Sequence, residues 1–152
     1  MDLQKNIIDA TVEIFETMIV MEATPGEPLS QKITTFQNTV SGMVGLGGSF
    51  KGILTVHTPE KVAKAITGNF LDLEVSEIND DAKDAIGELA NMLAGNIKLA
   101  LDATGTAITL SIPSVVYGER YTLNSLSNAD WVAVPFATPF GEFLVELQVK
   151  GN

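Results

Sequence analysis

Residues 80–103 read DDAKDAIGELANMLAGNIKLALDA, and the periodicity of this stretch decides the fold. On a helical wheel of about 100° per residue, Ile86, Leu89, Ala90, Leu93, Ile97, Ala100 and Leu101 gather on one face, which is the expected core. Asp84, Glu88, Asn91, Gly95 and Lys98 form a narrow polar stripe on the opposite side, with Met92 and Leu99 beside it. Asn79 suits a cap, and Asp80 and Asp81 match the helix dipole. The helix is expected to reach about Ala103 and close at Gly105. Apolar side chains flanking a polar line suit a docking surface. Gly87 and Gly95 each cost about 1 kcal/mol relative to alanine inside a helix. On that wheel both lie on or beside the stripe, so another backbone approaching closely is the expected reason; packing of the first helix there is the alternative.

Outward from this helix, Leu3, Ile7, Ala10, Ile14, Met18 and Met21 recur at helical spacing, and this helix should stop before Pro25-Gly26. Ser30 to Gly45 reads as strand, Gly47-Gly48 as a hairpin turn, and Phe50 to Val56 as the return strand. Thr58-Pro59-Glu60 starts a short helix, with Thr58 as the cap, expected to end near Gly68. Strands are expected at Thr106 to Ile112, Arg120 to Leu123, Trp131 to Ala137 and Glu142 to Val149, with a turn at Pro139-Phe140-Gly141. The order does not alternate as βαβ, which disfavours a parallel Rossmann-like sheet. The expected fold is α/β of the α+β kind: two long packed helices on one face of an antiparallel or mixed sheet, in a single domain over residues 1–152.

Composition removes several chemistries. The 152 residues include no cysteine, so disulfides, thiolate nucleophiles and cysteine metal sites are excluded. A single histidine, His57, rules out a multi-histidine metal site. The net charge of −10 repels phosphate backbones and anionic membranes, so neither nucleic acid nor a membrane is an expected partner. No apolar run reaches the roughly 18 residues of a membrane span, and the Met1-Asp2-Leu3-Gln4-Lys5 start is unlike a secretory signal. The expected location is the cytoplasm.

Glu88 and Asn91 are three apart and therefore neighbours on the helix surface. A carboxylate can pair with a lysine, and a carboxamide can hold a water through both its carbonyl and its NH₂. Such a pair suits a reaction that needs a positioned water, as phosphoryl hydrolysis through a loose transition state does. The same spacing on an exposed helix also fits plain solvation. Other motifs carry less. Gly45-Leu46-Gly47-Gly48-Ser49-Phe50-Lys51-Gly52 fails the P-loop pattern because Gly52 follows Lys51, and fails the dinucleotide pattern because Phe50 replaces the last glycine. His57 reads as structural or solvent-facing, with no Gly-x-Ser-x-Gly elbow to serve. Trp131 and Phe136 read as core, and Glu142 and Glu146, alternating with Phe143 and Val145, as ordinary sheet alternation.

The run Asp84-Ala85-Ile86-Gly87-Glu88-Leu89-Ala90-Asn91, continued by Met92-Leu93-Ala94-Gly95-Asn96-Ile97-Lys98 and followed by Pro113, resembles the signature of the CheC/CheX/FliY chemotaxis phosphatases. Pro113 to Gly118, and Gly48 through Ile66, are similar to that family too, so the resemblance covers the chain from about Val40 onward. It implies hydrolysis of the phospho-aspartate of a CheY-like response regulator receiver. Glu88 would pair with a receiver lysine and Asn91 would orient the attacking water. Asp84, Gly87, Met92, Gly95 and Lys98 would contact the partner. The receiver would bring the Mg²⁺, leaving this chain with no cofactor or metal of its own. Glu13 and Glu16 stand at the matching spacing on the first helix without an asparagine, which implies an inactive second copy. One motif fits CheX better than CheC, and CheX-like chains imply a homodimer joined by sheet pairing. The alternative function is a receiver-binding adaptor without hydrolysis; a small-ligand sensor on the same fold rests on fold analogy alone.

Overall fold

The computed structural model describes residues 2–102 and 107–151. Helix α1, Leu3–Ile14, is capped by the Asp2 carboxylate, which accepts from Lys5 N–H at 3.0 Å. It runs into a π-helical turn at Phe15–Ile19 and stops at Val20, whose φ is +55°. Strand β1 (Thr24–Pro25) is followed by the long hairpin of β2 (Thr35–Gly48) and β3 (Phe50–Pro59). Helix α2 spans Glu60–Leu71 and α3 spans Asp80–Asp102; then come β4 (Ile108–Leu110), β5 (Ser114–Thr122), β6 (Asp130–Thr138) and β7 (Gly141–Gly151).

The seven strands form one sheet in the order β1-β6-β7-β3-β2-β4, with β5 also on β2. Every pairing among them is antiparallel, which settles the choice between antiparallel and mixed. β4 and β5 share one side of β2: Leu46–Gly48 take β4 and Thr35–Met43 take β5. The step between them contains Pro113, which has no N–H for a ladder.

Helix length departs from expectation. Three α-helices lie among the described residues, as the sequence order gives, but only α3, with 23 residues, is long; α1 and α2 have 12 each. α1 and α2 both pack on α3, and the shared core joins Ile7, Ile14 and Phe15 to Ile66, Ile86, Leu93, Val44, Leu54, Val56 and Leu147. Among the described residues no helix is long and apolar enough to cross a membrane.

Several local expectations also shift. Residues 30–34 are not strand, and the hairpin turn falls at Gly48-Ser49, with Gly48 at φ +90°. Thr58 does not cap α2; its hydroxyl donates to the Val40 carbonyl at 2.9 Å, tying the hairpin instead. Gly68 sits inside α2 rather than ending it. A Cβ there would stand 2.8 Å from the Leu73 carbonyl oxygen, so this glycine serves the chain folding back past the helix end. β5 begins at Ser114, well before Arg120. The expected helix end at Ala103 and Gly105, and the strand start at Thr106, lie outside the described residues.

Candidate functional site

Helix α3 starts where the residues direct it: Asn79 Oδ1 accepts from Ala82 N–H at 3.1 Å, and Asp80 and Asp81 occupy the first turn. Its inner face buries Ala82, Ala85, Ile86, Leu89, Ala90, Leu93, Ala94, Ile97 and Leu101. Ala100, expected in the core, is exposed.

Two contacts set the height of α3 on the sheet. A Cβ on Gly42 of β2 would lie 2.8 Å from the Ile86 carbonyl oxygen. A Cβ on Gly87 would lie 3.1 Å from Val115 Cγ2 and 3.8 Å from Pro113 Cβ. Gly42 and Val115 are themselves register partners across β2 and β5. Successive helix residues thus rest on neighbouring strands.

This corrects the expectation for Gly87, which is buried under the chain's own β5 and leaves a partner no backbone to approach. The element that covers it is β5 with Pro113, not the first helix. Gly95 differs: among the described residues nothing lies within 4 Å of a Cβ there.

The remaining stripe residues come to the surface together. Asp84 and Glu88 are exposed, and Asn91, Met92, Gly95 and Lys98 are half-buried. Among the described residues, neither the Glu88 carboxylate nor the Asn91 carboxamide has a hydrogen-bond partner, so both are available to another molecule. Met92 also packs on the core, and Lys98 Nζ reaches Asp102 Oδ2 at 3.9 Å. On the Gly87 side the border is formed by Pro113, Val115 and Tyr117. Lys83 Nζ lies 6.0 Å from the Tyr117 ring centroid, and the Tyr117 hydroxyl donates to the Glu60 carboxylate, which raises the tyrosine pKa above its ordinary value.

No group of three or more histidine and acidic side chains is placed to hold a metal among the described residues. Glu13 is exposed on α1 and Glu16 is exposed in the π-turn that follows, and that turn changes the helical spacing between them.

The sheet face away from the helices holds a buried polar chain that the sequence pattern does not reveal. Tyr121 OH meets Ser41 Oγ at 2.6 Å, and Ser41 Oγ meets His57 Nδ1 at 2.7 Å. His57 Nε2 meets Glu146 Oε1 at 3.1 Å, and Trp131 Nε1 donates to Glu146 Oε2 at 2.7 Å. The ring of Phe36 stacks on His57 with centroids 4.0 Å apart. Glu146 is therefore no solvent-facing alternate but a buried, paired carboxylate, and Trp131 is half-buried with its indole nitrogen spoken for. His57 is structural, as expected. With Ser41 fully buried and the imidazole occupied on both nitrogens, this chain of contacts ties five adjacent strands and offers no nucleophile.

Against known proteins, the sequence matches the family described as Chemotaxis phosphatase CheX over residues 40–137. The protein named CheY-P phosphatase CheX from Thermotoga maritima is 26% identical over 123 residues, covering 78% of this chain and 77% of that protein. A crystal structure of a chemotaxis protein CheX from Desulfovibrio desulfuricans is 31% identical, with a TM-score of 0.87, over 99% of this chain and 100% of that one. The CheX of a CheX–CheY–BeF₃–Mg²⁺ complex from Borrelia burgdorferi has the same fold, at 24% identity and a TM-score of 0.81, over 98% of each chain.

Proposed function

The chain belongs to the CheX family of chemotaxis phosphatases, and from that premise we propose that it hydrolyses the phospho-aspartate of a CheY-like receiver domain through Glu88 and Asn91. The observation that carries this reading is the pair itself. Both side chains leave an otherwise well-seated helix on its open side, and neither is engaged by its own chain among the described residues. The relative named CheY-P phosphatase adds weight, as does the Borrelia complex of a protein of this fold with CheY.

In the proposed mechanism α3 lies over the receiver's phosphorylation site. The Asn91 carbonyl accepts from a water while its NH₂ helps hold the same water in line with the phosphorus. The water oxygen forms the new P–O bond as the bond to the aspartate oxygen breaks. The products are inorganic phosphate and a free carboxylate. Glu88 pairs with a receiver lysine and fixes the helix over the site. Metal chemistry, where needed, comes from Mg²⁺ held by the receiver.

Asp84, Gly95, Met92 and Lys98 are proposed to border the partner, in a chain that acts as one domain in the cytoplasm. A homodimer is proposed as well, since the outer edge of β5 carries no strand among the described residues. Light scattering on the purified chain tests that point.

The deciding experiment follows phosphate release from Mg²⁺-bound, phosphorylated CheY-type receivers, with wild type and Asn91→Ala. Acceleration at substoichiometric wild type, lost in Asn91→Ala, supports the reading. Stoichiometric binding that leaves the decay of every receiver unchanged makes the chain an adaptor.

A further inference from the structure

Ile112 is the most exposed large apolar side chain of the described residues, at 86%, ahead of Val20 at 75% and Leu99 at 71%. Its backbone is nonetheless held on both sides. Ser111 N–H donates to the Gly45 carbonyl at 2.9 Å, and Gly45 N–H donates back to Ser111 Oγ at 2.8 Å. The Ser111 hydroxyl then donates to the Ile112 carbonyl at 3.0 Å. On the other side Pro113 has its φ set by its ring, and that ring lies against Gly87 of α3. An isoleucine on a loose loop is ordinary surface; one braced between β2 and α3 is presented in a single position.

That position borders the proposed reaction. Asn91 follows Gly87 by one helical turn and so stands at the edge of the polar stripe nearest Pro113 and Ile112. A receiver laid on Glu88 and Asn91 must also cover the surface adjoining Asn91. Resting on the phosphatase reading above, we infer that Ile112 is an apolar anchor for the phosphorylated receiver domain, seated beside the phospho-aspartate and contributing binding rather than chemistry. The occupant is the receiver because the anchor is continuous with the stripe that would meet the phosphoryl group. Its bracing means that little freedom is lost on docking, which is what makes such a side chain effective in an interface.

The test measures binding of Mg²⁺- and beryllofluoride-loaded CheY-type receivers, together with kcat and KM for their phosphorylated forms. Ile112→Ala is expected to weaken binding and raise KM about ten-fold, with kcat within about two-fold of wild type. Ile112→Leu should retain wild-type affinity, and the melting temperature should not move. Leu73→Ala, at an exposed leucine beyond α2, is the control and should leave both constants unchanged. An unaltered KM in Ile112→Ala, with wild type active, overturns the anchor and leaves the phosphatase reading standing. A change of oligomeric state in Ile112→Ala also overturns it, assigning the side chain to a second copy. Wild type that neither binds nor dephosphorylates any receiver overturns both readings.

Discussion

A Cβ on Gly42 would stand 2.8 Å from the carbonyl oxygen of Ile86, so α3 rests on bare backbone of β2 two residues before Glu88. The obstacle is main chain, which cannot swing aside as a side-chain tip can. Gly42→Ala should therefore lift the helix or strain the strand. Overpacking of this kind costs about 1–3 kcal/mol. The melting temperature should fall by several degrees, and phosphatase activity should fall further than unfolding accounts for. Calorimetry beside a turnover assay at a temperature where the variant is folded separates the two effects; an unchanged melting temperature counts against the seat.

Gly87 and Gly95 share a helix but not a surrounding, so alanine should act differently at each. At Gly95 nothing among the described residues lies within 4 Å of the new Cβ, and the helix gains about 1 kcal/mol of propensity. Gly95→Ala should raise the melting temperature. If the receiver approaches there closely, it should also weaken receiver affinity. At Gly87 the Cβ meets Val115 Cγ2 at 3.1 Å, and the contact offsets the same gain. Gly87→Ala should be the less stable of the two in a urea titration.

Glu88 and Asn91 should divide the kinetic constants between them. Asn91→Ala removes the group proposed to hold the water, and kcat should fall about 10²-fold with little change in KM. Glu88→Ala removes the proposed lysine partner, so receiver affinity should suffer along with rate. Steady-state kinetics over a range of phosphorylated receiver distinguishes them, and identical profiles for the two variants contradict the division of roles.

Burial raises the Glu146 pKa, but hydrogen bonds from His57 and Trp131, with the charges of His57 and Lys32, outweigh it and leave the carboxyl below its ordinary value. A carboxyl depressed in the fold stabilises above its unfolded pKa of about 4.3, and the contribution is lost as pH falls through the folded value. Wild type should therefore lose stability on acidification through this window. Glu146→Gln should be less stable at neutral pH and should lose less on acidification. Urea midpoints from neutral to acid pH check the sign; parallel curves would show that Glu146 carries no linkage.

How far the site is legible in the sequence differs residue by residue. The exposure of Asp84 and Glu88 and the burial of Ile86, Leu89 and Leu93 follow from helical periodicity alone, and the structure agrees. Gly87 does not yield to that reasoning. It lies at the very edge of the buried arc, and whether an edge position is covered depends on where β5 and Pro113 fall. Glu146 escapes for a related reason. Alternation places it opposite Val145, but on the far face of the sheet its carboxylate meets His57 and Trp131, which local pattern does not bring to it. The π-turn at Phe15–Ile19 has no signature in the spacing of apolar residues, which continues through it.

The sequence by itself determined the amphipathic α3, the hairpin of β2 and β3, the final hairpin and the polar stripe, because each is specified by periodicity or turn chemistry within a few neighbouring residues. The charge and the absence of cysteine likewise bounded the chemistry. Only the tertiary structure decided that Gly42 seats Ile86, that Val115 closes over Gly87, that the chain around Ile112 is braced between β2 and α3, and that His57 and Glu146 meet inside the sheet. These contacts join residues far apart in the chain. Their partners are set by strand order and register, which local pattern leaves open until the whole core is packed.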